Sequence, residues 1–179
     1  NPLRPAFDLF IMKMNGIKIK MNGGNALFSS SYLPFSEIVS QINKIQPDIV
    51  HLHWITGGMI RIEDIAKIKV PIVWNCQDMW PFTGGCHYSG GCKSYKENCG
   101  NCPILESHKT NDLSKKVIVR KSKSYAKVQS LTVIGPSKWM ASCAGESSLF
   151  SKRKIKNIPN CIDVELFKPL NKTIVKDIF

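Results

Sequence analysis

Residues 70–88 read VPIVWNCQDMWPFTGGCHY. From Val70 to Trp74 the run is β-rich and almost continuously apolar, the pattern of a parallel strand covered on both faces. Polar Gln77 and Asp78 follow at once, then Trp80 and the pair Gly84 and Gly85. In open parallel sheets, ligands collect beyond the carboxyl ends of the strands, so this junction marks a candidate site.

The same alternation extends to both sides. Upstream, Ser36 can cap a helix in which Ile38, Ile42 and Ile45 share one face and which Pro47 ends. Asp48 to Trp54 reads as a strand, Ile55 to Gly58 as its loop, and residues 59–68 as a short helix. Downstream, a loop-rich insert over 79–112 leads to a basic helix from about Ser114 to Gln129. Leu131 to Ile134 is a third buried strand, Ser137 can cap the next helix, and Lys154 to Ile158 is a fourth strand closed by Pro159–Asp163. Residues 1–25 are the least legible, although Ile17–Lys20 alternates like a short strand between turns. Strands alternating with helices predict an α/β, Rossmann-like parallel sheet flanked by helices, with a cysteine-rich loop insert. The expected division is an N-terminal segment 1–25, an α/β domain 26–165, and the start of a linker at 166–179.

Composition bounds the function. An apolar fraction of 43% in 179 residues supports one domain with a real core and argues against disorder. No apolar run approaches the roughly 20 residues that span a bilayer, and no secretory leader opens the chain. The first residue is Asn1, which reads as a fragment. The net charge of +12, from 25 Lys/Arg against 13 Asp/Glu, implies an anionic partner or surface. Seven cysteines without an export signal point to a reducing compartment.

Several constellations could carry chemistry. Cys86, Cys92, Cys99 and Cys102 are spaced C-x5-C-x6-C-x2-C, which suits four thiolates around a structural zinc; two disulfides or four unpaired thiols are the alternatives. Four protein thiolates would leave zinc no open position for catalysis. Asp78 can accept from a sugar hydroxyl or act as a base, and Trp80 offers a face for stacking; alternatively Asp78 caps a turn and Trp80 packs beneath the insert. His51 and His53 share one face of a strand and could be ligands or satisfied core histidines. Lys116, Arg120, Lys123 and Lys127 recur at helical spacing, with Val117, Tyr125 and Val128 on the other side. That stripe is either a solvated face or a dock for anionic headgroups. Nucleic acid is not expected, because Tyr125 is the only aromatic residue interleaved with the basic ones.

PDIVHLHWITGG (47–58), VWNCQDMWPFTGGCHYSGGC (73–92), ENCGNCP (97–103), IGPSKWM (134–140), SSLF (147–150) and IPNCIDVELFKP (158–169) occur in the order found in family 4 glycosyltransferases. The chain resembles that family from about Pro47 to Pro169, and within it the bacterial enzymes that build capsule, O-antigen or exopolysaccharide. The resemblance implies one half of a two-domain GT-B fold, the half that chiefly receives the acceptor. A nucleotide-sugar donor would bind through a C-terminal half absent here. It implies transfer with retention to a glycan or lipid-linked acceptor, with no cofactor required for the transfer, in a cytoplasmic enzyme peripheral on the inner face of the membrane. Carried over residue by residue, it marks Gln77 and Asp78 as catalytic candidates. It marks Asp78, Trp80, Gly84, Gly85, His87, Ser137, Lys138, Asn160 and Asp163 as lining the substrate cleft. Three departures stand out: the family usually carries histidine at the position of Gln77, glycine at that of Cys161, and an opening strand with a glycine-rich loop that is not evident before Phe7. Glutamine bonds a hydroxyl but carries no proton at neutral pH. The resemblance also implies that this chain alone transfers no sugar. The rival expectation is a non-catalytic, metal-stapled basic module that binds an anionic polymer or nucleic acid.

Overall fold

The computed structural model describes residues 10, 13–14, 28–32 and 37–169. The expected strand at Ile17–Lys20 and the cap at Ser36 lie outside them. The elements in chain order are α1 (Ile38–Ile45), β1 (Val50–Leu52), α2 (Ile62–Ile65), β2 (Ile72–Asn75), α3 (Leu113–Tyr125), β3 (Leu131–Gly135), α4 (Lys138–Glu146) and β4 (Lys154–Asn157). Three short 3₁₀ turns, Trp80–Phe82, Ser94–Lys96 and Pro103–Leu105, punctuate the insert between β2 and α3. The four strands form one parallel sheet in the order β1-β2-β3-β4, which is the Rossmann-like α/β arrangement the alternation predicted.

Strand pairing explains the burial pattern. Val50, Ile72 and Leu131 stand side by side in register, as do Leu52, Trp74 and Val133, and all six are buried. Their in-register neighbours on the opposite face, His51, Val73 and Thr132, are exposed or half-buried. The helices account for this. Tyr125 of α3 packs on Trp74, and Gly145 of α4 faces Ile155, the strand partner of Val133. Among the described residues the continuous apolar run is therefore fully covered on one face and only partly on the other. His51 and His53 are likewise not core histidines; both are exposed, with ring centroids 4.2 Å apart.

The core is aromatic. Trp74, fully buried, has Tyr125 edge-on at 5.5 Å and Phe150 at 6.2 Å, and Tyr125 stacks on Phe150 at 5.6 Å. Each polar edge is satisfied by backbone: Trp74 Nε1 donates to the His53 carbonyl at 3.2 Å and the Tyr125 hydroxyl to the Pro81 carbonyl at 3.0 Å.

Helix ends follow local chemistry. The basic helix starts one residue earlier than expected, because Asp112 accepts from the backbone N–H of Lys115 and caps it. Ser137 caps α4 as expected, accepting from the N–H of Met140. Of the predicted basic stripe, Lys116, Lys123 and Lys127 are exposed, but Arg120 is a correction. Its guanidinium donates to both carboxylate oxygens of Glu63 at 2.6 and 2.9 Å, to the carbonyls of Ser30 and Ser31, and lies 3.6 Å over the Tyr32 ring. A planar fork with that many acceptors ties α3 to α2 and to residues 30–32, and presents no charge to a membrane.

Partial burial pushes the Glu63 carboxyl up. The hydrogen bond and charge of Arg120 outweigh that, so its pKa lies below the usual value. A depressed carboxylate contributes stability above its unfolded pKa and loses it as pH falls through the folded one. We therefore expect Glu63→Gln to cost about 1 kcal/mol at neutral pH, given the half-exposed carboxylate. The gap from wild type should narrow in urea unfolding as pH drops below about 4.5.

Candidate functional site

Past the carboxyl end of β2 the chain turns sharply under Asp78. One carboxylate oxygen accepts the backbone N–H of Trp80 at 2.9 Å. The other meets His87 Nδ1 at 2.5 Å and the indole N–H of Trp54 at 3.0 Å. On the far side of the imidazole, His87 Nε2 lies 3.0 Å from the Ser29 hydroxyl. One tautomer satisfies this row. Nδ1–H donates to Asp78, which leaves Nε2 free to accept the serine proton. The backbone N–H of Met79 adds a bond to the His87 carbonyl at 2.8 Å. Asp78, His87 and Ser29 are buried, while Trp54 is 43% exposed and forms the outer wall.

Chemically, the row is a serine, a histidine and an aspartate held in line. It can polarise a hydroxyl, pass its proton to the imidazole, and stabilise the resulting cation against Asp78.

The sequence-predicted residues are distributed unevenly around this row. Asp78 and His87 are brought together. Gln77 is exposed beside Asp78, and its amide oxygen accepts from Asn160 of the closing turn at 3.4 Å, across 83 positions of chain. Ser137 and Lys138 are exposed at the carboxyl end of β3. Asp163 is exposed and occupied locally, accepting the N–H groups of Glu165 and Leu166.

Three predicted cleft residues are corrected. Trp80 is 1% exposed, its indole N–H bonded to the Ser29 carbonyl at 2.8 Å and its ring covered by the Lys121 ammonium at 3.6 Å. No face of it is left for a sugar. Gly84 and Gly85 are also buried and serve close packing. A Cβ on Gly84 would sit 2.6 Å from the Ser114 carbonyl, and one on Gly85, where φ is +123°, only 2.5 Å from the Phe28 ring.

Three other residues enter the site unannounced. Trp54 ends PDIVHLHW at the carboxyl edge of β1, and that position is its signal. Ser29 has none; a lone antiparallel bridge between Phe28 and Cys86 brings it in. Lys121 is fully buried beneath the row, donating to the carbonyls of Trp80 and Thr83. It lies four residues from both Val117 and Tyr125, so helical spacing already placed it on the inner face. Burial pushes its ammonium down to about 7, against the opposing pull of Cys86, Cys99 and Asp78.

The thiols of Cys86, Cys92, Cys99 and Cys102 are all free and line one small cavity beside this site. Burial raises the thiol pKa of Cys86 and Cys102 and takes that of Cys99 to about 12. Among the described residues, no three His, Cys, Asp or Glu side chains converge on one centre in an arrangement fit for a metal ion. Also among them, no helix is long and apolar enough to cross a membrane.

Comparison with known proteins adds one relative. The chain is 25% identical over 144 residues to a protein of Escherichia coli (strain K12) named as a colanic acid biosynthesis glycosyl transferase. The match covers 73% of this chain and 35% of that protein, so the chain spans about a third of its relative's length. No protein-family profile matches the chain. No solved structure matches it.

Truncating His87 would take one of three donors from the buried Asp78 carboxylate and leave the buried Ser29 hydroxyl without its imidazole partner. We expect His87→Ala to lower the unfolding free energy by about 2–4 kcal/mol. A double-mutant cycle with Asp78→Asn should return a coupling of about 1 kcal/mol or more, read from urea unfolding.

Proposed function

We propose that this chain is the acceptor-side α/β domain of a retaining glycosyltransferase. It would serve the transfer of a sugar from a nucleotide-sugar donor to a glycan or lipid-linked acceptor in surface polysaccharide synthesis. The observation that carries the reading is the buried Asp78–His87 pair under the half-exposed indole of Trp54, at the carboxyl edge of a parallel sheet. The similarity to the E. coli glycosyl transferase supports the same class.

In this reading the Trp54 indole presents an apolar face to the acceptor sugar, in the role first given to Trp80. Gln77 and Asn160, in contact at the edge, offer amide groups to hydroxyls. The nucleotide-sugar donor would be held by the other half of the GT-B fold. In the transfer, the bond between the anomeric carbon and the nucleotide's phosphate oxygen breaks, and a bond to the acceptor oxygen forms on the same face. The acceptor proton leaves with the phosphate. No metal is assigned to that step.

The gene product carrying this chain should move labelled sugar from at least one nucleotide sugar onto lipid or glycan extracts of its host. Trp54→Ala should raise the acceptor KM with little change in the donor KM. Failure with every common nucleotide sugar, by a protein whose circular dichroism shows it folded, would remove the assignment. The 179-residue chain alone should give no turnover.

A peripheral cytoplasmic position on an anionic membrane is supported by the net charge and by exposed Lys116, Lys123 and Lys127. Each basic residue near such a surface is worth about 1 kcal/mol, so the triple change to Glu should weaken vesicle binding roughly a hundredfold or more. Arg120 stays untouched in that variant because it holds the fold. Equal sedimentation of variant and wild type with anionic vesicles would exclude this face. Retention of nucleic acid with a steep salt dependence would instead favour the polymer-binding module.

A further inference from the structure

The insert between β2 and α3 holds four of the chain's seven cysteines, and the fold brings those four to the wall of one cavity. Cys86, Cys92, Cys99 and Cys102 line a single cavity of about 20 Å³, together with Phe28 and Tyr95. That volume admits one atom-sized guest. A water there would want two to four polar partners, and beyond the sulfurs the walls are mostly apolar. Four thiols instead match the ligand set of a soft or borderline divalent cation.

The backbone is shaped for such a guest. Cys99, Gly100 and Asn101 all have positive φ, at +48°, +109° and +48°. Two adjacent non-glycine neighbours of one glycine in that region are costly, and such strain persists only where the surroundings enforce it. The result is a tight knuckle that turns Cys99 and Cys102 toward the same cavity. Its N–H groups are tied: Cys99 to the Ser94 carbonyl at 2.9 Å, Gly100 to the Ser114 hydroxyl at 3.0 Å, Asn101 to the Lys109 carbonyl at 3.0 Å, and Cys102 to the Asp112 carboxylate at 2.8 Å.

Buried Lys121 lies behind this wall, its ammonium donating to the carbonyls of Trp80 and Thr83.

We propose that Cys86, Cys92, Cys99 and Cys102 bind one zinc ion in a closed, four-thiolate structural site that staples the insert beneath the Asp78–His87 row. In this structure the sulfurs stand along the cavity wall rather than meeting at one centre, so binding draws them inward. Each thiol gives up its proton to solvent as the metal–sulfur bond forms, and no redox change is involved. With four protein ligands the ion has no open position, so the site is structural whatever reaction the chain serves.

The chain is reduced, reconstituted with zinc, desalted and analysed for bound metal by mass spectrometry of the native protein. The expected result is one zinc per chain. Cobalt in its place should give a sulfur-to-cobalt charge-transfer band with tetrahedral d–d bands. Cysteine-to-serine variants can fail to fold, so the deciding measurement uses the wild type. Zinc should protect Cys86, Cys92, Cys99 and Cys102 together from alkylation, while exposed Cys161 reacts in both forms and serves as the internal control. Chelation should restore their reactivity and lower the melting temperature. No zinc on the reduced chain, zinc without protection of at least three of the four thiols, or a mass showing intact disulfides among them would each overturn the proposal.

Discussion

The carboxylate of Asp78 is the point on which the carboxyl edge of this domain is built. It sits buried where β2 ends and receives three donors: the imidazole of His87, the indole of Trp54 and the backbone N–H of Trp80. An ionised carboxylate without partners would be too costly to bury, so the chain must return to it from three directions. Trp54 brings in the end of β1, His87 the far side of the glycine pair, and Ser29, through His87, residues 28–32. Remove the acid and these three segments lose the group that registers them.

Lys121 plays the matching role on the inner side. Its ammonium is buried under the turn that Asp78 opens and holds the Trp80 and Thr83 carbonyls, while its charge lies against the Trp80 ring. A cation so placed stops Trp80 from turning outward, which is why the residue that seems best suited to stack on a sugar is instead a floor. The exposed aromatic at this edge is Trp54, and the reading of the acceptor side shifts with it. Arg120, one residue earlier on α3, points about 100° round the helix and locks Glu63 and the carbonyls of Ser30 and Ser31. Consecutive basic residues on one helix therefore do separate jobs, fixed by the 100° between them.

Much of the architecture was legible because it rests on periodicity and on short-range steric rules. The four strands and the helices between them fall within a few residues of where apolar runs, Pro47 and Ser137 place them. Asp78 was legible as an acid at the end of a buried strand, and His87 through the family resemblance of the motif that follows it. Lys121 was legible in principle, since Val117 and Tyr125 already define the inner face, but a lysine normally belongs outside and the charge masked the spacing. Ser29 was not legible at all. Its place depends on contacts with Gly85, Trp80 and His87, more than 50 positions along the chain, and no local pattern encodes such pairings.

The amino-acid sequence by itself determined the parallel α/β class, the insert, the clustering of four thiols and the position of an acid at a strand's end. All of these follow from order along the chain and from side-chain period. Only the tertiary structure decided which aromatic faces solvent, which base pairs with the acid, which of the basic residues are internal, and that the two faces of the described sheet are covered unequally. Those outcomes depend on desolvation and on partners far away in the chain, where burying one charge or ring requires another group to meet it in space.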